Sequence, residues 1–259
     1  MKCELYNDNF QNFKRYGIPK AQLVMTDIPY NIGIEAYASR PEWFIDRDIE
    51  KGRSEKAESA FFGTDFNFNI AEFMHFCSRL LIKEPKEKGK SPCMIVFCAF
   101  DQIDVLVEYG KRYGFKNNIP LFFIKNYSPQ VLKTNIRIVG AMEYAVILYR
   151  DRLPKFNNNH RMVFNWQYWQ KDESCIPRIH PNQKPLNILK PLIELFTDKG
   201  DVVIDPCAGS GATLRAAKEL GRNAYGFECS KEFYKQAVSR MLFQVDEQQL
   251  NEQFELLWS

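Results

Sequence analysis

This sequence lacks several features, and each absence excludes something. No run of 18 apolar residues occurs, which removes a membrane-spanning helix from the candidates. The seven cysteines are odd in number and form no Cys-x-x-Cys pair, so neither a disulfide framework nor a zinc ribbon is expected. They read as reduced thiols of a cytoplasmic protein, and Met1-Lys2-Cys3-Glu4 does not open a secretory leader. Three histidines are too few for a His-rich metal site, and no metal is expected. No internal repeat and no linker divides the 259 residues, so a single domain over 1–259 is expected.

A net charge of +3 does not by itself imply a polyanionic partner. Its distribution says more. Residues 111–137 carry six basic side chains and no acid, whereas 244–259 carry four acids and no Lys or Arg. Such segregation gives one basic face, although solvated charges also cluster by chance.

The most informative stretch is Val202-Val203-Ile204-Asp205-Pro206-Cys207-Ala208-Gly209-Ser210-Gly211-Ala212-Thr213. β-Branched residues run into an acid, then a small-residue turn, then a helical pattern over 214–220: strand, tight loop, helix. Gly209 and Gly211 permit positive φ and close approach of a ligand to the backbone. The helix N-terminus aims free N–H groups at that ligand. Fifteen residues beyond Thr213, Glu228 ends a second strand, where an acid can hold two ribose hydroxyls. The loop lacks the third glycine of the dinucleotide fingerprint and is not followed by the Gly-Lys-Ser/Thr of a P-loop. On the loop alone, a generic nucleotide turn and a site for S-adenosylmethionine both stand. Asp205 at the strand end suits a cationic, phosphate-free ligand.

A second constellation lies near the N-terminus. Residues 21–25 read as a strand delivering Asp27-Ile28-Pro29-Tyr30 at its carboxyl end, where open α/β sheets do chemistry. The bland reading is a turn. The chemical reading starts from an exocyclic amine, whose lone pair is delocalised into its base. The Asp27 carboxylate accepts one amine hydrogen and the Ile28 carbonyl the other, turning the nitrogen out of plane. Tyr30 offers a face on which a flipped base stacks. Between the two constellations, 35–59 reads as a long, mobile surface loop. Asn69-x-x-Glu72 is a capping-box pattern ahead of a helix, and 10–16 also looks helical. Residues 150–179 mix amides, cations and aromatics. That composition suits a nucleic-acid surface, and the alternation of Phe164, Trp166 and Tyr168 equally suits a strand packed on one face.

Taken together, these motifs make the chain resemble an amino-group DNA methyltransferase of the β arrangement, in which an Asp-Pro-Pro-Tyr motif precedes the S-adenosylmethionine loop. Asp27-Ile28-Pro29-Tyr30 resembles the catalytic motif, and His180 through Pro185 is similar to the His-Pro-x-Gln-Lys-Pro segment of that family. The likeness covers nearly the whole chain. It implies a Rossmann-like α/β fold, mostly parallel, with helices on both faces and a circularly permuted motif order. It implies S-adenosylmethionine as cofactor, held by Asp8, Asn182, Lys184, Pro185, Asp205, Pro206, Ala208, Gly209, Ser210, Gly211, Thr213 and Glu228. It implies DNA as partner, admits a homodimer, and places target recognition in 150–179. Asp at position 27 favours adenine N6 over cytosine N4.

Two departures stand out. Ile28 replaces the first proline of the catalytic motif, and Ala212 stands where the family usually has threonine. Three other functions remain open at this level: cytosine-N4 methylation, methylation of an amine in RNA, and a catalytically silent DNA-binding partner subunit. A nucleotide-dependent oxidoreductase is disfavoured by the missing glycine.

Overall fold

The computed structural model describes residues 1–30, 68–127, 138–172, 175–180 and 182–243. The expected mobile loop at 35–59 and the acidic tail lie outside these residues. So does part of the basic stretch. Among the described residues, strands β1 (Cys3–Tyr6), β2 (Leu23–Asp27), β3 (Cys93–Cys98), β4 (Asn117–Ile124), β5 (Met142–Tyr149), β6 (Trp166–Tyr168), β7 (Val202–Asp205) and β8 (Asn223–Phe227) form one sheet. Its order is β1-β8-β7-β2-β3-β5-β4-β6. Only β5 runs against its neighbours. The sheet is therefore mostly parallel, as the likeness implied.

Period-two alternation explains the layers. Along β2 and β3, Leu23, Met25, Cys93, Ile95 and Phe97 enter one core, while Val24, Met94, Val96 and Cys98 enter the other. Helices α3 (Leu186–Phe196) and α4 (Ala212–Glu219) cover the first face. Helices α1 (Ile70–Leu80) and α2 (Ile103–Arg112) cover the second. The short α5 (Lys231–Gln236) follows β8.

The Asn69 side chain caps α1 by accepting from the N–H groups of Ala71 and Glu72. The box is only half made, because the Glu72 carboxylate takes the Gln11 amide instead. The expected helix at 10–16 is a 3-10 helix, Phe10–Arg15, pinned by the Asn9 side chain.

The order of strands positions the site. β2 and β7 are parallel neighbours, although Thr26 and Asp205 are 179 residues apart in sequence. Two strand ends that each deliver an acid are thus set side by side at the carboxyl edge.

Candidate active site

At that edge lies a cavity of about 630 Å³. Its lining joins the end of β2 (Asp27 through Tyr30), the loop after β7 (Asp205 through Ser210) and the end of β8 (Phe227, Glu228). Asn182, Gln183 and Lys184 close one side, and Asn9, Phe10 and Phe233 contribute as well. Ala212 and Thr213 reach it from α4.

The side of the cavity next to the loop after β7 is built around two buried acids. Asp205 Oδ1 accepts from Thr26 Oγ1 at 2.6 Å and from the Cys207 N–H at 3.0 Å. Burial pushes its carboxyl up to about 6, against the pull of Thr26, Thr213 and the Cys207 amide. Glu228 Oε2 accepts from the Gly209 N–H at 2.8 Å, and Oε1 from the Ser230 N–H at 2.6 Å. Burial pushes Glu228 up to about 7, opposed by those two amides. Gly209 takes φ 51°, which an L side chain adopts only with strain. Behind the loop, a Cβ on Gly226 would sit 2.8 Å from Leu214 Cδ1 and 3.1 Å from the Asp205 carbonyl. The bare backbone of β8 is what lets the loop and α4 lie so close.

The side at the end of β2 is a charge cluster. Lys184 Nζ lies 2.5 Å from Asp27 Oδ2, 3.2 Å from Tyr30 Oη and 3.7 Å from Glu143 Oε2. Tyr30 Oη donates to Glu143 Oε2 at 2.9 Å, and Lys125 Nζ bonds Glu143 Oε1. Asp27 Oδ1 is buried and has no hydrogen-bond partner among the described residues. Burial raises the Asp27 carboxyl above its ordinary value, and Lys184 only partly offsets it. The Lys184 ammonium is lowered by burial, but Asp27 and Glu143 outweigh that and hold it above the usual lysine range.

The Ile28 departure has a local compensation. The Ile28 N–H donates to the Phe97 carbonyl at 3.1 Å, a bond proline cannot make, and its side chain is buried. Pro29 is fixed through its carbonyl by Gln102 Nε2 at 2.9 Å.

Comparison with known proteins gives this geometry its family. The family model described as DNA methylase, of the N6/N4 class, matches residues 21–239. The type II methyltransferase M.HindIII of Haemophilus influenzae is 30% identical over 226 residues, 82% of this chain and 69% of that protein. The chain belongs to the N6/N4 DNA methylase family. The DNA adenine methyltransferase YhdJ of Escherichia coli is 26% identical over 261 residues, covering 93% of this chain and 82% of that one. The solved M1.HpyAVI–SAM complex aligns with a TM-score of 0.64 at 22% identity, over 92% of this chain and 98% of that one. The cytosine-N4-specific PvuII methyltransferase aligns at 0.67 and 16% identity, over 97% and 91%. These structures share the fold.

Most of the residues singled out in the methyltransferase sequence converge on the cavity: Asp27, Ile28, Pro29, Tyr30, Asn182, Lys184, Asp205, Pro206, Ala208, Gly209, Ser210, Thr213 and Glu228 all line it. Four of the expected cofactor set behave differently. Lys184 reaches the Asp27 carboxylate. Pro185 caps α3. Gly211, at φ 78°, caps α4 and packs toward Ala237 and Leu242. Asp8 is tied up in its own turn, accepting from the Asn9 N–H, Asn12 Nδ2 and Tyr16 Oη at 2.7–2.8 Å. Its neighbour Asn9 lines the cavity instead.

Sequence reasoning missed Thr26, Phe233, Glu143 and Lys125. The trace that pointed to Glu143 was an acid at the start of an otherwise apolar strand.

The 150–179 segment proves to be divided. Arg150 donates to the Ile82 and Ser78 carbonyls, Arg152 to that of Pro85, and Lys155 pairs with Asp198 and Asp201. These cations anchor the segment to the body. Phe164, Trp166 and Tyr168, by contrast, are 61%, 42% and 65% exposed, so this short strand is not packed on their face. Among the described residues, no helix is long and apolar enough to cross a membrane.

Proposed function

We propose that this DNA methyltransferase transfers a methyl group from S-adenosylmethionine to the exocyclic N6 of adenine. The observation that carries the reading is the buried Oδ1 of Asp27, which has no hydrogen-bond partner among the described residues, on a carboxylate lining the cavity that Asp205 and Glu228 also line. A buried acceptor without a donor is costly, and an amine N–H would satisfy it.

The cavity suits the cofactor. Of the ionisable residues lining it, Asp27, Asp205, Glu228 and Glu232 are acids, and the ammonium of Lys184 is already paired with Asp27. That balance favours a cationic ligand and disfavours a pyrophosphate. Asp205 and Glu228 would hold it, with the loop amides after β7. When bound, S-adenosylmethionine supplies an electrophilic methyl on a sulfonium leaving group.

The chain's own residues supply the rest. Tyr30 presents its ring to a flipped base. Asp27 Oδ1 accepts one amine hydrogen and the Ile28 carbonyl the other, which aims the nitrogen lone pair at the methyl group. The proton released by transfer goes to Asp27 or to water. Orientation within the cavity provides most of the acceleration.

The exposed aromatics of β6 are the proposed target-recognition surface. Asp27 is level with Phe97, Ala145 and Leu121 across the sheet, and Phe122 pairs with Trp166. Four strand spacings separate β2 from β6, roughly 19 Å, close to the width of a duplex. A homodimer and a cytoplasmic site of action are proposed on the family likeness alone, and sedimentation velocity tests the first.

The deciding experiment is transfer of labelled methyl to unmethylated DNA, followed by digestion and identification of the nucleoside. N6-methyladenine supports the proposal. N4-methylcytosine, the specificity named for the PvuII enzyme, would replace the target and keep the site. Cofactor binding without transfer would favour a silent partner subunit.

A further inference from the structure

Glu143 is absent from the expected site, does not line the cavity and belongs to β5, the one antiparallel strand among the described residues. Yet it organises both catalytic side chains. A lysine ammonium has three N–H donors. Those of Lys184 face three oxygens: Asp27 Oδ2, Tyr30 Oη and Glu143 Oε2. The first two are hydrogen bonds and the third, at 3.7 Å, is an ion pair, so the ammonium is drawn to the Oδ2 side of Asp27. Glu143 also receives the phenol proton of Tyr30, so the ring is held at its far end. The second cation, Lys125, braces Glu143 from outside the cavity and lies 4.7 Å over the Trp169 ring. Two ammoniums and two carboxylates make this cluster neutral.

We propose that Glu143 is a positioning residue for methyl transfer: it draws the Lys184 ammonium to one side of Asp27 and fixes the Tyr30 ring, leaving Asp27 Oδ1 for the incoming amine. Without Glu143, two cations share one carboxylate, and Lys184 is free to span both oxygens of Asp27. The acceptor is then occupied and its charge over-stabilised. The inference rests on the assignment of Asp27 as amine acceptor.

Other groups facing Asp27 bear on its titration. They are Lys184 from the segment before α3, Tyr30 from its own loop, Cys98 from β3, Asp205 from β7 and Glu143 from β5. Glu143 acts to raise the Asp27 carboxyl and Lys184 to lower it. Neutralising Glu143 therefore shifts Asp27 downward, whereas removing Lys125 leaves Glu143 less compensated and shifts it upward.

The test is the pH profile of single-turnover methyl transfer for wild type, Glu143→Gln, Lys125→Met and Tyr30→Phe. Cofactor affinity and thermal unfolding are measured alongside. Glu143→Gln keeps an acceptor for the Tyr30 hydroxyl. It is expected to lower the rate at least tenfold and move the acid limb to lower pH, with cofactor affinity within threefold of wild type. Lys125→Met is expected to move the acid limb the other way. Tyr30→Phe keeps the charges but removes a hydroxyl that lowers the Asp27 carboxyl, so its limb is expected to move, if at all, upward and opposite to that of Glu143→Gln. An unmoved acid limb in both Glu143→Gln and Lys125→Met overturns the proposal, as does a Tyr30→Phe profile that copies Glu143→Gln. If Glu143→Gln does not fold, the direction of the Lys125→Met shift decides alone. Full activity in Asp27→Asn would instead sink the underlying assignment, and so separates the two failures.

Discussion

Lys184 and Asp27 meet through one oxygen only: Nζ stands 2.5 Å from Oδ2, while Oδ1 of the same carboxylate has no partner among the described residues. One oxygen is held and the other is buried without a described partner. Replacing Asp27 by Ala removes both. Methyl transfer is expected to fall by about 10²–10⁴-fold or more. Cofactor affinity should change little, because Asp205 and Glu228 are untouched. Filter-binding with labelled cofactor and a product assay on the same preparation check both halves.

Reading the residues in order made this relationship half visible. Asp27 and Asp205 were legible because each ends an apolar strand before a turn, a purely local signature. The lysine was legible as a motif member and misplaced in role, since nothing in 180–185 says which acid it will meet. Glu143 was invisible as a site residue for a related reason. It comes from β5, whose antiparallel insertion beside β3 is a tertiary fact. Asp8 shows the converse: an acid in a plausible place, claimed by Asn12 and Tyr16 of the turn it starts.

The proposed cofactor site carries its own pH dependence. Burial raises Glu228 from 4.5 to about 7 and Asp205 from 3.8 to about 6. Unfolded, both would ionise at their ordinary values. The folded apoprotein therefore holds more protons across that window, and these two acids make it less stable as pH rises to about 7. A cationic ligand favours the ionised acids, so affinity rises over the same range. The increase in melting temperature at a fixed S-adenosylmethionine concentration should be larger at pH 8 than at pH 6. Glu228→Gln should flatten that difference.

Gly226 is expected to admit no side chain. Gly226→Ala puts a methyl group against Leu214, Ala208 and the Asp205 carbonyl. Overpacking of this kind costs about 1–3 kcal/mol. Any relief comes from moving the loop, so cofactor affinity should fall with stability. Denaturant unfolding paired with a binding titration measures the two together.

Restoring the family's proline tests the role of the Ile28 amide. Ile28→Pro removes the bond to the Phe97 carbonyl and part of a buried side chain. Stability should drop by about 1–3 kcal/mol. The position 28 carbonyl survives, so the rate constant should stay within a few-fold of wild type. A collapse of activity in a folded variant would show that the amide contributes more than an anchor.

On the β6 surface, Trp166→Ala should weaken DNA binding by about 1–3 kcal/mol if a base stacks there. Cofactor affinity should be unaffected. Titrations at two salt concentrations separate this loss from that of a phosphate contact, because stacking leaves the salt slope unchanged.

The neighbouring of β2 and β7 also governs when this protein becomes active during its own folding. The strand bearing Asp27 is made early and must wait for β7, and among the described residues β1 pairs only with β8, made later still. Contacts this distant along the chain close slowly. No partly synthesised chain ending before β7 holds both acids, so none can bind cofactor and methylate. Competence arrives in one late step, when β7 and β8 slot in between two strands that were already there.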